Sequence, residues 1–110
     1  MTPRIRGRYP ARTDPAVPDC QVGIVIPTLN EATTLPGLLA DLRTLTIPAD
    51  VVVVDGGSSD ATASTAEQAG ARVITAPLGR GPQLNAGAAA ATGAWLCFLH
   101  ADVRMLQPAR

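Results

Sequence analysis

A histidine and an aspartate stand two apart near the end of the chain, His100 and Asp102, directly after the apolar run Trp95-Leu96-Cys97-Phe98-Leu99. In extended backbone, side chains two apart point the same way, so an imidazole and a carboxylate would lie side by side. Such a pair can hold a divalent cation whose remaining positions are filled by substrate phosphates. The same spacing also suits a hydrogen-bonded loop histidine followed by a capping aspartate. Asp55 follows Val51 to Val54 and precedes Gly56-Gly57. It can accept hydrogen bonds from a nucleoside, as acids at the end of the second strand do in dinucleotide folds, or it can cap the glycine turn. The glycines let a ligand approach the backbone and favour binding. Arg80, between Gly79 and Gly81, can clamp a phosphate with its planar fork or be an exposed loop arginine. Asn30-Glu31 can hold a base or cap the helix that follows. Asn85 falls inside a helical stretch, where a surface amide accounts for it.

These residues need elements to carry them. Val51 to Val54 are β-branched with no polar face, which predicts a strand buried on both sides. Gln21 to Pro27 is a second such strand, with Pro27 at its end, where no ladder donor is needed. Leu35, Leu38, Leu39, Leu42 and Leu45 recur at helical spacing and form one apolar stripe. Thr33 or Thr34 can cap that helix, and Pro36 falls in its first turn. Ser58 or Ser59 can cap an alanine-rich helix that runs to Ala69 and stops at Gly70, with Asp60 in the first turn. Arg72 to Thr75 is a short strand, Pro82 to Ala91 a third helix, and Trp95 to Leu99 a fourth strand. The order β-α-β-α-β-α-β with short connections predicts an α/β fold with a parallel sheet of about four strands flanked by helices.

In such a sheet the loops after the strands open on one edge, the edge where ligands bind. Asn30-Glu31, Asp55, Arg80 and His100-x-Asp102 all fall in those loops. Their convergence points to a ligand with a polar, anionic part.

Composition narrows the possibilities further. At 110 residues the chain is one domain at most, small for a two-substrate enzyme. Nine basic residues, all arginine, balance nine acids, so no global field selects nucleic acid or a membrane. Residues 1–20 hold four arginines, two acids and four prolines with no apolar period, and read as a disordered basic tail. A basic arm can also make peripheral contact with anionic lipid. No segment is long enough to span a bilayer, and the start lacks the apolar stretch of a signal peptide. Cys20 and Cys97 do not suggest a metal site, and the setting expected is reducing and cytoplasmic. No G-x-G-x-x-G follows the first strand, and without lysine a P-loop is excluded.

Taken together, the motifs resemble the nucleotide-sugar-binding half of a family 2 glycosyltransferase of Rossmann-like GT-A fold. Val25-Ile26-Pro27-Thr28-Leu29-Asn30-Glu31 is similar to its first-strand motif. Val53 to Thr62 is similar to V-D-D-G-S-x-D-x-T. Gly79-Arg80-Gly81-Pro82-Gln83-Leu84-Asn85-Ala86-Gly87 is similar to G-K-G-x-x-x-N-x-G, with arginine for lysine. Phe98-Leu99-His100-Ala101-Asp102 stands where the family has L-D-A-D, its D-x-D motif. The likeness covers residues 21–103 with four motifs in order. The His-Ala-Asp variant resembles a bacterial subgroup of transferases associated with radical-SAM and selenoprotein-type domains.

The resemblance implies a donor site for a nucleoside-diphosphate sugar, a UDP-sugar favoured, with Mn²⁺ or Mg²⁺. Its binding residues would be Pro27, Thr28, Asn30, Glu31, Asp55, Gly56, Arg80, His100, Ala101 and Asp102, and its metal ligands Asp102 and His100. An imidazole is a poorer partner for Mg²⁺ than the carboxylate it replaces, which bears on metal dependence. Inverting members of the family take a general base from a later acceptor-binding segment, and no residue of this chain obviously fills that role. Residues 21–110 are therefore expected to be a donor-binding domain truncated before its acceptor half, unable to turn over alone and marginal in stability. Two other functions compete. A nucleotidyltransferase would want a glycine-rich basic loop after the first strand, where Pro27-Thr28-Leu29-Asn30 stands instead. A non-catalytic nucleotide-binding or interaction module needs no acceptor half.

Overall fold

The structure, a computed structural model, describes residues 21–105. The expectation of a basic tail over residues 1–20 lies outside that range. Seven elements alternate along the chain: β1 (Val22–Thr28), α1 (Leu35–Leu42), β2 (Ala49–Asp55), α2 (Thr62–Gln68), β3 (Arg72–Thr75), α3 (Arg80–Ala90) and β4 (Trp95–Phe98). The strands form one parallel sheet in the order β3-β2-β1-β4. The fold class and strand count expected from the sequence are those observed.

The two central strands have no polar face, so both sides of the sheet must be covered. Ile24, Ile26 and Val53 pack with Leu35, Leu38, Leu39 and Leu42 of α1 and Ala66 of α2. Their neighbours Val25, Val52 and Val54 point the other way, toward Leu84, Ala86 and Ala90 of α3. That alternation is the two-residue period of a pleated strand, read on both faces at once. The α3 helix approaches the sheet closely enough that a side chain at Gly87 would collide with Val25 Cγ1 and stand 3.0 Å from Val54 Cγ2. This accounts for the small residues Ala86, Gly87 and Ala90 where α3 packs on the sheet.

Several boundaries differ from the sequence reading. Pro27 lies inside β1, paired with Val54 on the β2 side. Its missing N–H faces the β4 side, and β4 has ended by then, so no ladder bond is lost. The α1 helix starts without a side-chain cap from Thr34 and closes at Leu42, leaving Leu45 packed against the core from beyond the helix end. The α3 helix begins at Arg80, which puts Pro82 in its first turn. Ser58 and Ser59 do not cap α2, because their hydroxyls are used elsewhere. On the outer strand, Trp95 is 66% exposed and Phe98 46%.

Candidate functional site

The β1 and β2 strands end in register, with Thr28 opposite Asp55, and this pair is the floor of the site. Asp55 is 4% exposed, and both of its carboxylate oxygens are engaged. Oδ1 accepts from Thr28 Oγ1 at 2.9 Å and Ser58 Oγ at 2.5 Å. Oδ2 accepts from the backbone N–H groups of Gly57 at 3.1 Å and Ser58 at 2.8 Å. Burial opposes the charge, but the bonds from Ser58, Thr28 and Gly57 outweigh it and hold the carboxyl below its ordinary pKa. Asp55 therefore caps the glycine turn, and its acceptor positions are committed to that loop and to Thr28 of β1.

The loop after β1 is fastened to the loop after β2. Asn30 adopts a left-handed conformation with φ of 54°, which asparagine tolerates better than most residues. Its N–H donates to Ser58 Oγ at 2.8 Å, and its Oδ1 accepts from the Ser59 N–H at 2.8 Å. The Glu31 N–H donates to Thr62 Oγ1 at 2.8 Å. Asp60 lies just before α2, where it accepts from the N–H and hydroxyl of Thr62 and from the Ala32 N–H. Hydrogen bonding from Thr62, opposed by desolvation, lowers its pKa as well. Asn30 and Asp60 thus stitch two loops into one surface.

Gln83 was not among the residues expected from the sequence. It is 5% exposed, at the sheet-facing side of α3. Its Nε2 donates to the carbonyls of Thr28 at 3.0 Å and Val54 at 2.9 Å, and its Oε1 accepts from the Gly79 N–H at 3.0 Å. One amide thereby joins the ends of β1 and β2 to the turn that carries Arg80. It also fills the space beside Gly56, where a Cβ would stand 3.0 Å from Gln83 Cδ and Leu78 Cδ1. The available signal was its place four residues before Gly87, on the same side of a small-residue helix.

Arg80, His100 and Asp102 differ from the groups beneath them. All three are exposed at the carboxyl edge, and their side chains have no hydrogen-bond or ion-pair partner among the described residues. Parallel pairing of β4 with β1 brings His100 and Asp102 to the edge that Asp55 occupies. Ala101 between them is 1% exposed and seated in the core. Asn85 is on the exposed side of α3. No group of three or more His, Cys, Asp or Glu capable of holding a metal occurs among the described residues. The donor set left without partners at this edge, among the described residues, is thus one carboxylate and one imidazole, Asp102 and His100. It suits a cation that keeps water and takes phosphate oxygens, and not a closed protein cage.

A second polar cluster lies at the opposite, amino edge. Asp50 of β2, 4% exposed, receives a bidentate contact from Arg72 Nε and Nη2, both at 2.9 Å. Its Oδ2 also accepts from the N–H of Thr92 at 2.9 Å and its hydroxyl at 3.1 Å. Arg72 Nη2 donates further to the Ala90 carbonyl at 2.6 Å, so the cluster ties the end of α3 to the sheet.

Residues 23–108 match the family described as glycosyl transferase family 2. An uncharacterised glycosyltransferase of Mycobacterium tuberculosis H37Rv is 40% identical over 87 residues, which are 76% of this chain and 38% of that protein. The chain thus spans well under half the length of this curated relative. Among solved structures, glucosyl-3-phosphoglycerate synthase from M. tuberculosis in complex with UDP is similar with a TM-score of 0.68 and 27% identity, over 76% of this chain and 34% of that one. The same synthase has been crystallised with Mg²⁺ and UDP, and with Mn²⁺, UDP and glucosyl-3-phosphoglycerate. Mannosyl-3-phosphoglycerate synthase from Rubrobacter xylanophilus is similar with a TM-score of 0.71 and 25% identity, over 81% of this chain and 33% of that one.

Proposed function

This chain belongs to glycosyl transferase family 2, and on that footing we propose that it binds a nucleoside-diphosphate sugar, a UDP-sugar favoured, as the donor-binding part of an enzyme that passes the sugar to an acceptor. One observation carries the reading. The loops after β1, β2 and β4 and the start of α3 meet at one edge. There the polar groups beneath are mutually satisfied, and Arg80, His100 and Asp102 are left open. Satisfied groups build a surface, and open ones are available to a ligand.

The division of labour follows from partners and exposure. Pro27, Thr28, Asn30, Glu31, Asp55 and Gly56 form the nucleoside side. Asp55 acts there by setting the backbone of the glycine turn, and Gly56 by leaving room for Gln83 and Leu78 to pack beneath that turn. Arg80 takes phosphate oxygens through its planar fork, which presents paired donors at fixed spacing. Asp102 and His100, on either side of the buried Ala101, would hold Mn²⁺ or Mg²⁺ together with the diphosphate. When bound, that cation offsets the charge that develops on the leaving nucleoside diphosphate. The His-Ala-Asp sequence supports placement in the radical-SAM-associated and selenodomain-associated subgroup. The partly buried free thiol of Cys97 supports a reducing, cytoplasmic setting, and no helix among the described residues is long and apolar enough to cross a membrane.

Calorimetry of UDP with the 110-residue chain, with and without Mn²⁺, tests the reading. Binding that tightens with Mn²⁺, and loses that gain in Asp102→Ala, is the expected result. A folded sample that binds no nucleoside diphosphate leaves only a non-catalytic interaction module.

A further inference from the structure

Asp41 lies on the buried side of α1, within the leucine stripe, where an acid is costly unless it is fully paired. Among the described residues, the partners of its carboxylate all lie in one short segment of chain 63 and 64 residues away. Arg104 Nε donates to Oδ2 at 2.7 Å and Arg104 Nη2 to Oδ1 at 3.1 Å, while the Met105 N–H donates to Oδ2 at 2.9 Å. The guanidinium also lies against α1 itself, since a Cβ at Gly37 would stand 3.0 Å from Arg104 Nη1. Asp41 thus grips the chain two and three residues past Asp102.

The segment between is held at its other end as well. The Leu99 N–H donates to the Val25 carbonyl at 3.0 Å, which fixes where the chain leaves β4. The Val103 N–H donates to the His100 carbonyl at 3.1 Å, closing a turn. Ala101 is sunk in the core at the centre of that turn, while His100 and Asp102 face out. Two exposed side chains on a short turn are aimed by whatever fixes its two ends. One end belongs to the sheet, and the other belongs to Asp41.

We propose that Asp41 is a positioning residue for the metal and diphosphate side of the site. Through Arg104 and the Met105 N–H it sets the course of the backbone leaving Asp102, and so the direction of the His100 and Asp102 side chains. This rests on the donor-site reading above. It extends that reading to a residue that touches neither nucleotide nor cation.

The experiment measures UDP affinity with and without Mn²⁺, together with the thermal midpoint, for the full chain, Asp41→Asn and Arg104→Ala. Asp41→Asn is expected to lose tenfold or more of the Mn²⁺-dependent gain, with metal-free UDP affinity changed less than twofold. Arg104→Ala, which leaves the Met105 bond in place, is expected to lose about threefold of the same gain. A merely structural acid would lower the midpoint and leave the gain at its wild-type size, and that result overturns the proposal. If Asp41→Asn does not fold, Arg104→Ala decides, because that side chain is largely exposed; an unchanged gain there overturns it equally. A wild-type chain with no Mn²⁺-dependent gain would sink the donor-site reading first, and this inference with it.

Discussion

One strand carries a buried aspartate at each end, and the two are treated in opposite ways. Asp50, at the amino edge, faces an arginine fork and two donors from Thr92, so its charge is cancelled where it stands. Asp55, at the carboxyl edge, is surrounded by hydroxyls and N–H groups and, among the described residues, pairs with no cation. Its partners are Thr28 at the end of β1 and the Gly57-Ser58 part of a Gly-Gly-Ser-Ser loop, and the open groups Arg80, His100 and Asp102 belong to the same edge. The first arrangement closes a structure, tying the end of α3 to the sheet. The second prepares a surface. The contrast teaches that a buried acid marks a ligand site only when the groups around it are left with unspent capacity.

The comparison can be broken most severely at Asp50. Replacing it with alanine withdraws the acceptor from Arg72 and from both donors of Thr92. Breaking a buried pair costs about 3–5 kcal/mol, and the half-exposed Arg72 puts this case near the lower figure. Urea unfolding should register that loss, while the folded fraction binds UDP with wild-type affinity. Asp55→Ala should do the reverse. Thr28 Oγ1 is orphaned in the interior while the Ser58 and Gly57 donors can turn to water. The stability loss is then about 2 kcal/mol, and UDP affinity should fall at least about tenfold. Equal effects of the two variants on UDP binding would erase the distinction between the edges.

Arg80→Ala sharpens the account at smaller scale. The side chain is exposed and has no partner among the described residues, so the thermal midpoint should not move. Loss of a charge-assisted contact to phosphate should weaken UDP by about tenfold, with uridine unaffected. An equal loss for uridine would place Arg80 on the nucleoside side.

Acidification should have the mildest effect. Hydrogen bonding from Arg104 and Met105 lowers the Asp41 carboxyl from 3.8 to about 2. The bonds to Asp55 lower its pKa as well. Groups with depressed folded values contribute stability in full above the unfolded carboxylate pKa near 4, and lose it as pH falls through the folded value. Urea midpoints should therefore hold to about pH 4 and decline toward pH 2. Asp41→Asn should soften that decline. Midpoints that rise below pH 4 would contradict the assignment.

Much of the architecture was legible because it rests on period alone. The valine run, the leucine stripe and the strand ends each obey a local rule, and together they place Asp55 and Asp102 on one edge. The two readings of Asp55 could not be separated in the same way, because its partners Thr28 and Ser58 come from the end of β1 and from the loop after β2. Ser58 and Ser59 looked like helix caps, since nothing local shows that Asn30, 28 and 29 positions away, competes for them. Gln83 and Asp41 were invisible for a related reason. A polar residue on a helix face gains meaning only from what packs over it, and the partners of Asp41 arrive from the far end of the chain.

Paramagnetic broadening by Mn²⁺ offers the most direct test of the central claim, because it reports which edge the ion visits. Backbone amide spectra would be recorded with saturating UDP and substoichiometric Mn²⁺. The account predicts broadening centred on His100 to Val103 and reaching Gly56 and Gly57, with Asp50 and Thr92 unaffected. Broadening at Asp50 and Thr92, or none at either edge once UDP is bound, would contradict it.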